Sequence, residues 1–171
     1  GWTASLYNGI SFVPGRFAGA VHLDGVNDYV ETAPTSLDLD SDLTVSLWAQ
    51  LDSVDRDSRQ SLIARGTYVY PFRLEMEGEK VRSSLRTADN GVSYLSSNTS
   101  LVSGRWYHIV LTYKEGMRAL YLDGQLEGSN SPTGALQLEG GDKFVLGRIP
   151  GGASWLDGHL DDVRIFSRSL S

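Results

Sequence analysis

Residues 21–30, Val21-His22-Leu23-Asp24-Gly25-Val26-Asn27-Asp28-Tyr29-Val30, gather three carboxylate or amide side chains, Asp24, Asn27 and Asp28, around a glycine. Oxygen donors at that density suit Ca2+, which takes about six to eight oxygens from carboxylates, carbonyls and water. A second acidic pair, Asp161-Asp162, sits in a similar setting near the other end of the chain. One shared ion could close the two sites on each other. The same residues also admit a metal-free reading, in which Asp24, Asn27 and Asp28 cap their own turn and Asp161 pairs with an arginine. His22, His108 and His159 are far apart in sequence, and each reads as an ordinary strand residue.

Two other groupings could do chemistry. Glu75, Glu77 and Glu79 alternate as the paired carboxyls of a glycosidase would, but Gly78 and Glu79 read as a hairpin turn, leaving only Glu75 well inside a strand. Around them, Arg73, Glu75, Arg82, Ser84 and Arg86 share one face of the hairpin. Three guanidinium forks there suit uronate or sulfate groups. Tyr68, Tyr70, Tyr94 and Trp155 supply rings that could stack on a sugar. In the competing reading Arg82 and Arg86 pair with Glu75 and Asp89 across strands. Trp48, Trp106 and Tyr121 read as core or sheet-packing residues.

The elements that must position these groups are strands. Leu43, Val45, Leu47, Ala49 and Leu51 alternate with polar or aromatic neighbours, the period of a strand with one buried side. Residues 106–113 and 118–122 read as a hairpin, and Asp123-Gly124 turns the chain into residues 125–127. Residues 72–77 and 80–86 form another hairpin, while 143–147 and 158–166 read as later strands. Residues 52–60 and 128–132 read as surface loops.

Bulk properties narrow the choices. The 171 residues suffice for one well-filled core, and 19 Gly with 5 Pro, spread along the chain, give the turn spacing of an all-β sandwich or barrel. With no cysteine, neither a disulfide framework nor a thiolate metal site can form. A net charge of -6 argues against a nucleic-acid track, and no stretch is apolar enough to span a bilayer.

Five segments, in order, carry a resemblance: residues 14–30 beginning Pro14-Gly15-Arg16-Phe17; Leu43-Thr44-Val45-Ser46-Leu47-Trp48; Trp106-Tyr107-His108-Ile109-Val110; Leu120-Tyr121-Leu122-Asp123-Gly124; and Gly158-His159-Leu160-Asp161-Asp162-Val163-Arg164-Ile165-Phe166. Together they resemble the laminin G-like, pentraxin-like branch of the concanavalin A-like jelly rolls, over nearly the whole chain. The resemblance implies an antiparallel two-sheet β-sandwich with a structural Ca2+ tying the Asp24 turn to the Asp161-Asp162 strand. It implies one non-catalytic carbohydrate-binding module, residues 1–171, belonging to a larger secreted enzyme or adhesin. The expected partners are a polysaccharide or oligosaccharide, acidic ones favoured by the arginine face, and other domains of the parent protein. An adhesion or protein-interaction domain, and a lyase or hydrolase of the same fold, are the alternatives.

Overall fold

The computed structural model describes residues 3–33, 42–55, 58–66, 72–89, 91–114, 116–137, 143–152 and 154–170. Among these described residues, fourteen strands account for the regular structure: β1 (Ala4–Tyr7), β2 (Ser11–Pro14), β3 (Gly19–Asp24), β4 (Tyr29–Thr32), β5 (Asp42–Leu51), β6 (Arg59–Arg65), β7 (Phe72–Glu77), β8 (Lys80–Thr87), β9 (Gly91–Ser96), β10 (Trp106–Lys114), β11 (Met117–Leu122), β12 (Gln125–Asn130), β13 (Phe144–Leu146) and β14 (Asp157–Phe166). They form two seven-stranded sheets. The first runs β1-β4-β13-β6-β7-β8-β9, and the second β12-β11-β10-β5-β14-β3-β2. The strand pairings among the described residues are antiparallel, so the architecture is the expected all-β, two-sheet sandwich. Among the described residues, no helix is long and apolar enough to cross a membrane.

Alternation builds the core. From β5, Leu43, Val45, Leu47, Ala49 and Leu51 are buried, and they face Leu62, Ile63, Phe72, Leu74, Met76, Val81 and Leu85 of the other sheet. Phe72 and Phe144 meet edge to face at 6.2 Å, an arrangement that aromatic quadrupoles favour. Burying a side chain of this size stabilises by about 1.5–3 kcal/mol, so the β5 row alone accounts for several such contributions.

Two segments read as loops are partly strand. β6 begins at Arg59, inside residues 52–60, and β12 continues through Asn130, inside residues 128–132. Both stretches are polar, and β12 lies at a sheet edge where its Gly128-Ser129-Asn130 run has little apolar surface to bury. Pairing with β11 shapes it, where hydrophobic period cannot.

Arg118 joins the two sheets. On β11 it shares the inward side with Leu120 and Leu122, and it is fully buried. Its Nη1 donates to the Ser83 carbonyl at 3.3 Å and the Ser93 carbonyl at 3.2 Å, Nη2 donates to Ser93 Oγ, and Nε to Asn130 Oδ1 at 3.0 Å. Burial pushes the guanidinium down to about 10 and raises the neighbouring Tyr113 phenol. The charge therefore persists at neutral pH, held by neutral acceptors from β8, β9 and β12. Arg118→Ala should leave these acceptors without their donor, and urea unfolding should show a loss of about 3 kcal/mol.

Candidate functional site

The acidic residues do not converge on one ion. β3 and β14 are neighbours, but Asp157 lies opposite Asp24, and Leu160 opposite Val21. Asp161 is therefore four positions from the Asp24 end, roughly 13 Å at strand rise. Asp24, Asp28 and Asp161 each have a backbone donor instead. Asp24 Oδ1 accepts from the N–H of Val26 at 2.9 Å and of Asn27 at 3.3 Å, while Gly25 takes a positive φ of 74°. The Val26 bond, foremost, holds the Asp24 carboxyl below its usual range, so its contribution is present above about pH 4 and fades as pH falls through the lowered value. The metal-free reading of the turn matches this geometry.

Asp28 and Asp161 do the same work on neighbouring turns. Asp28 is buried, and its Oδ1 accepts from Gly9 N–H at 2.6 Å; Asn27's carbonyl accepts from Asn8 Nδ2. These bonds fix the turn from β1 to β2. Asp161 is also buried, but its partner is backbone: Oδ2 accepts from Phe17 N–H at 3.0 Å. A side chain at Gly15 would place its Cβ 2.5 Å from that oxygen, so glycine is what lets the loop from β2 to β3 approach. β14 bulges between Asp161 and Arg164, and Asp162, at φ 48°, accepts from Arg164 Nε at 2.8 Å. Asp24, Asn27, Asp28, Asp161 and Asp162 thus do not form a common calcium shell. The register puts the two acidic groups at opposite ends of their strand pair.

The arginine face is paired internally. Glu75 is fully buried, and its Oε1 accepts from Arg82 Nε at 3.2 Å and Nη2 at 2.8 Å, with Ser84 Oγ alongside. Arg82 Nη1 also donates to Glu77, and its guanidinium lies 4.9 Å from the Tyr94 ring centroid. Arg86 Nε donates to Gln137 Oε1, and Arg73 is buried. Arg82 holds β7 and β8 together rather than waiting for an anion, as the competing reading had it for Arg82 and Glu75. Glu75 and Glu77 share one guanidinium, which is not the presentation of a glycosidase pair. Tyr94 is exposed, whereas Trp155 packs near Tyr29, with ring centroids 6.3 Å apart, and Arg148. Tyr68 and Tyr70 lie outside the described residues.

Sequence reasoning missed a different surface. With the odd positions of β5 in the core, Ser46, Trp48 and Gln50 face outward. Register sets Trp48 between Asp161 and His108, and Gln50 between His159 and Trp106. An open groove of about 470 Å³ is lined by Arg16, Trp48, Trp106, His108, Asp123 and Gly124. Trp48 stacks on His108 with centroids 5.0 Å apart and planes 22° apart. Phe17 meets Trp48 edge on, and Arg16 lies 5.0 Å over the Trp48 ring. His108 is oriented by Ser46 Oγ at Nε2, 2.9 Å away, and its backbone N–H donates to Asp123 Oδ1. Gln50 donates to the Gly104 carbonyl. The signal for this face was present in β5: once odd positions are buried, Trp48 must point out.

Known proteins share this frame. A laminin G family model described as the concanavalin A-like lectin/glucanases superfamily matches residues 24–171. The binding domain of Paraclostridial Mosquitocidal Protein 1 superposes with a TM-score of 0.82 at 14% identity, covering 99% of this chain and 45% of that one. The botulinum neurotoxin serotype G binding domain gives 0.81 at 14% identity, covering 100% and 44%. The receptor binding domain of botulinum neurotoxin D gives 0.78 at 15% identity, covering 99% and 45%. At these identities the likeness is one of fold, and the chain spans under half the length of each of these solved chains.

The internal pairing of Arg82 predicts a stability effect. Arg82→Ala strands the buried Glu75 carboxylate, whose Oε2 already has no donor, and should cost about 3–5 kcal/mol in denaturant unfolding. An arginine kept for a ligand would lose binding and leave the unfolding curve in place.

Proposed function

As the chain belongs to the concanavalin A-like lectin/glucanases superfamily, we propose that it is a non-catalytic binding module that takes a polysaccharide or oligosaccharide in the Trp48–Trp106 groove. The observation that carries this reading is the groove itself: two half-buried indoles on an outward sheet face, flanked by His108, Asp123 and Arg16. Pyranose rings present apolar C–H faces and a rim of hydroxyls. Indoles cover the former, and planar polar side chains bond the latter.

The groove mixes one cation, Arg16, with one carboxylate, Asp123, and the latter is already bonded to Arg105 Nη2 at 2.8 Å. Such a site gives no bias toward polyanions. The preference for acidic glycans rested on Arg73, Arg82 and Arg86; the burial of Arg73 and the internal partners of Arg82 and Arg86 withdraw that support, so neutral sugars are the proposed ligands. The solved domains named above are binding or receptor-binding parts of longer toxins, which is consistent with a module that brings a larger secreted protein to a surface.

Asp161 enters as a positioning residue, since its carboxylate holds the loop that lays Phe17 and Arg16 against Trp48. Titration calorimetry against a panel of neutral and uronate-rich polysaccharides tests the reading. Trp48→Ala and Trp106→Ala should each weaken binding about tenfold or more, through lost aromatic contact area, with the circular dichroism spectrum retained. Binding to a glycan at unchanged affinity in both variants would place the site elsewhere.

A further inference from the structure

Beside the groove, on the same outward face, two histidines distant in sequence become neighbours. His22 of β3 and His159 of β14 are register partners, with ring centroids 4.7 Å apart. Asp52, the residue after β5, closes the group: its Oδ2 is 3.3 Å from His22 Nε2 and its Oδ1 3.4 Å from His159 Nδ1. One donor atom from each residue can be chosen so that all three lie within 4.8 Å of one another. We infer that His22, Asp52 and His159 form a binding site for a divalent transition metal ion of the Zn2+ class.

Three features carry the inference. The first is donor type. Two imidazole nitrogens and one carboxylate oxygen suit Zn2+, Ni2+ or Cu2+, whereas Ca2+ and Mg2+ want oxygen alone. Tetrahedral zinc with bonds of 2.0–2.1 Å sets neighbouring donors roughly 3.3 Å apart, close to the 3.3 Å from His22 Nε2 to Asp52 Oδ2 and the 3.4 Å from His159 Nδ1 to Asp52 Oδ1. Three protein ligands leave the fourth position to water.

The second is an unsatisfied atom. His159 Nδ1 is buried and has no hydrogen-bond partner, although the Asp52 carboxylate lies close by. A buried ring nitrogen without a partner is costly, and a metal ion would supply one. Its ligand neighbours have room to adjust, since the side chains of His22 and Asp52 are 33% and 38% exposed.

The third is the support around the trio. Asp52 N–H donates to the Asp157 carbonyl at 3.0 Å, Ser53 Oγ donates to Asp157 Oδ2 at 2.8 Å, and Asp157 N–H donates to Gln60 Oε1 at 2.9 Å. These bonds tie the segment after β5 to β14 and so hold the carboxylate beside both rings. Asp157 and Asp24, paired across β14 and β3, add negative charge at the same end of the face. Trp106 lies 6.2 Å from the His159 ring, within range of a fluorescence response to a bound paramagnetic ion.

The test is titration of the intact protein with Zn2+ in competition with a chromophoric chelator, with Ca2+ as a control and Co2+ as a spectroscopic probe. The expected result is one Zn2+ per chain, no competition by Ca2+, and visible Co2+ bands of tetrahedral intensity. His22→Gln should weaken Zn2+ binding at least about tenfold, as should Asp52→Asn; altering outer partners of zinc ligands alone commonly costs about that much. His22 is half-buried and more open to solvent than His159, so that variant stays informative even where His159→Gln is poorly folded. Absence of stoichiometric Zn2+ binding, or equal affinity in wild type and His22→Gln, would overturn the assignment and leave the trio as a histidine–carboxylate ion-pair cluster.

Discussion

The period of two in β5 constrains most of the molecule. This ten-residue strand sits at the centre of its sheet, between β10 and β14, and its odd positions supply five aliphatic side chains to the core. A slip of one residue would exchange Leu47 for Trp48 and Ala49 for Gln50, burying polar groups and exposing the row that the opposite sheet packs on. Burial therefore locks the register, and the register locks what faces solvent. Trp48 and Gln50 are carried outward by the aliphatic residues between them. His108 and Trp106 of β10, and Asp161 and His159 of β14, are set beside them by backbone pairing.

A second layer of order comes from side chains that bond backbone. Asp24 caps its own turn, Asp28 holds the β1–β2 turn, and Asp161 holds the β2–β3 loop. Asp28 and Asp161 tie down the N-terminal strands, whose short length and exposed faces give them little hydrophobic anchorage of their own. Buried charge does similar work between strands: Arg118 links the two sheets, and Arg82 links β7 and β8 through Glu75. Such polar ties add less net stability than apolar packing of equal volume, but they define which strand lies beside which.

Much of the fold was legible in the sequence because alternation is local. The hairpins at 72–86 and 106–122 and the inward row of β5 follow from residue period and turn chemistry alone. The arrangement of carboxylates was less legible, since Asp24 and Asp161 lie on adjacent strands and only the offset between those strands separates them. Type and sequence position gave no access to that offset. His22 and His159, 137 positions apart in the chain, could be paired only by the β3–β14 register. The arginine face carries a counter-charge of its own: Glu75 stands directly opposite Arg82. Trp48, read as a core or sheet-packing residue, lies on the outward parity of β5 and packs there against His108 and Phe17.

The groove and the histidine cluster share one face through Gln50, which stands between His159 and Trp106 in the ladder. A sugar lying on the indoles would pass close to the proposed metal position. The most direct test of the central claim is an NMR titration of the four tryptophan indole N–H signals with a polysaccharide that the protein binds. The account predicts that the Trp48 and Trp106 signals shift in proportion to saturation while backbone signals of β8 and β9 stay in place. Saturated binding that leaves both indoles unmoved and shifts residues around Arg82 and Tyr94 would contradict it.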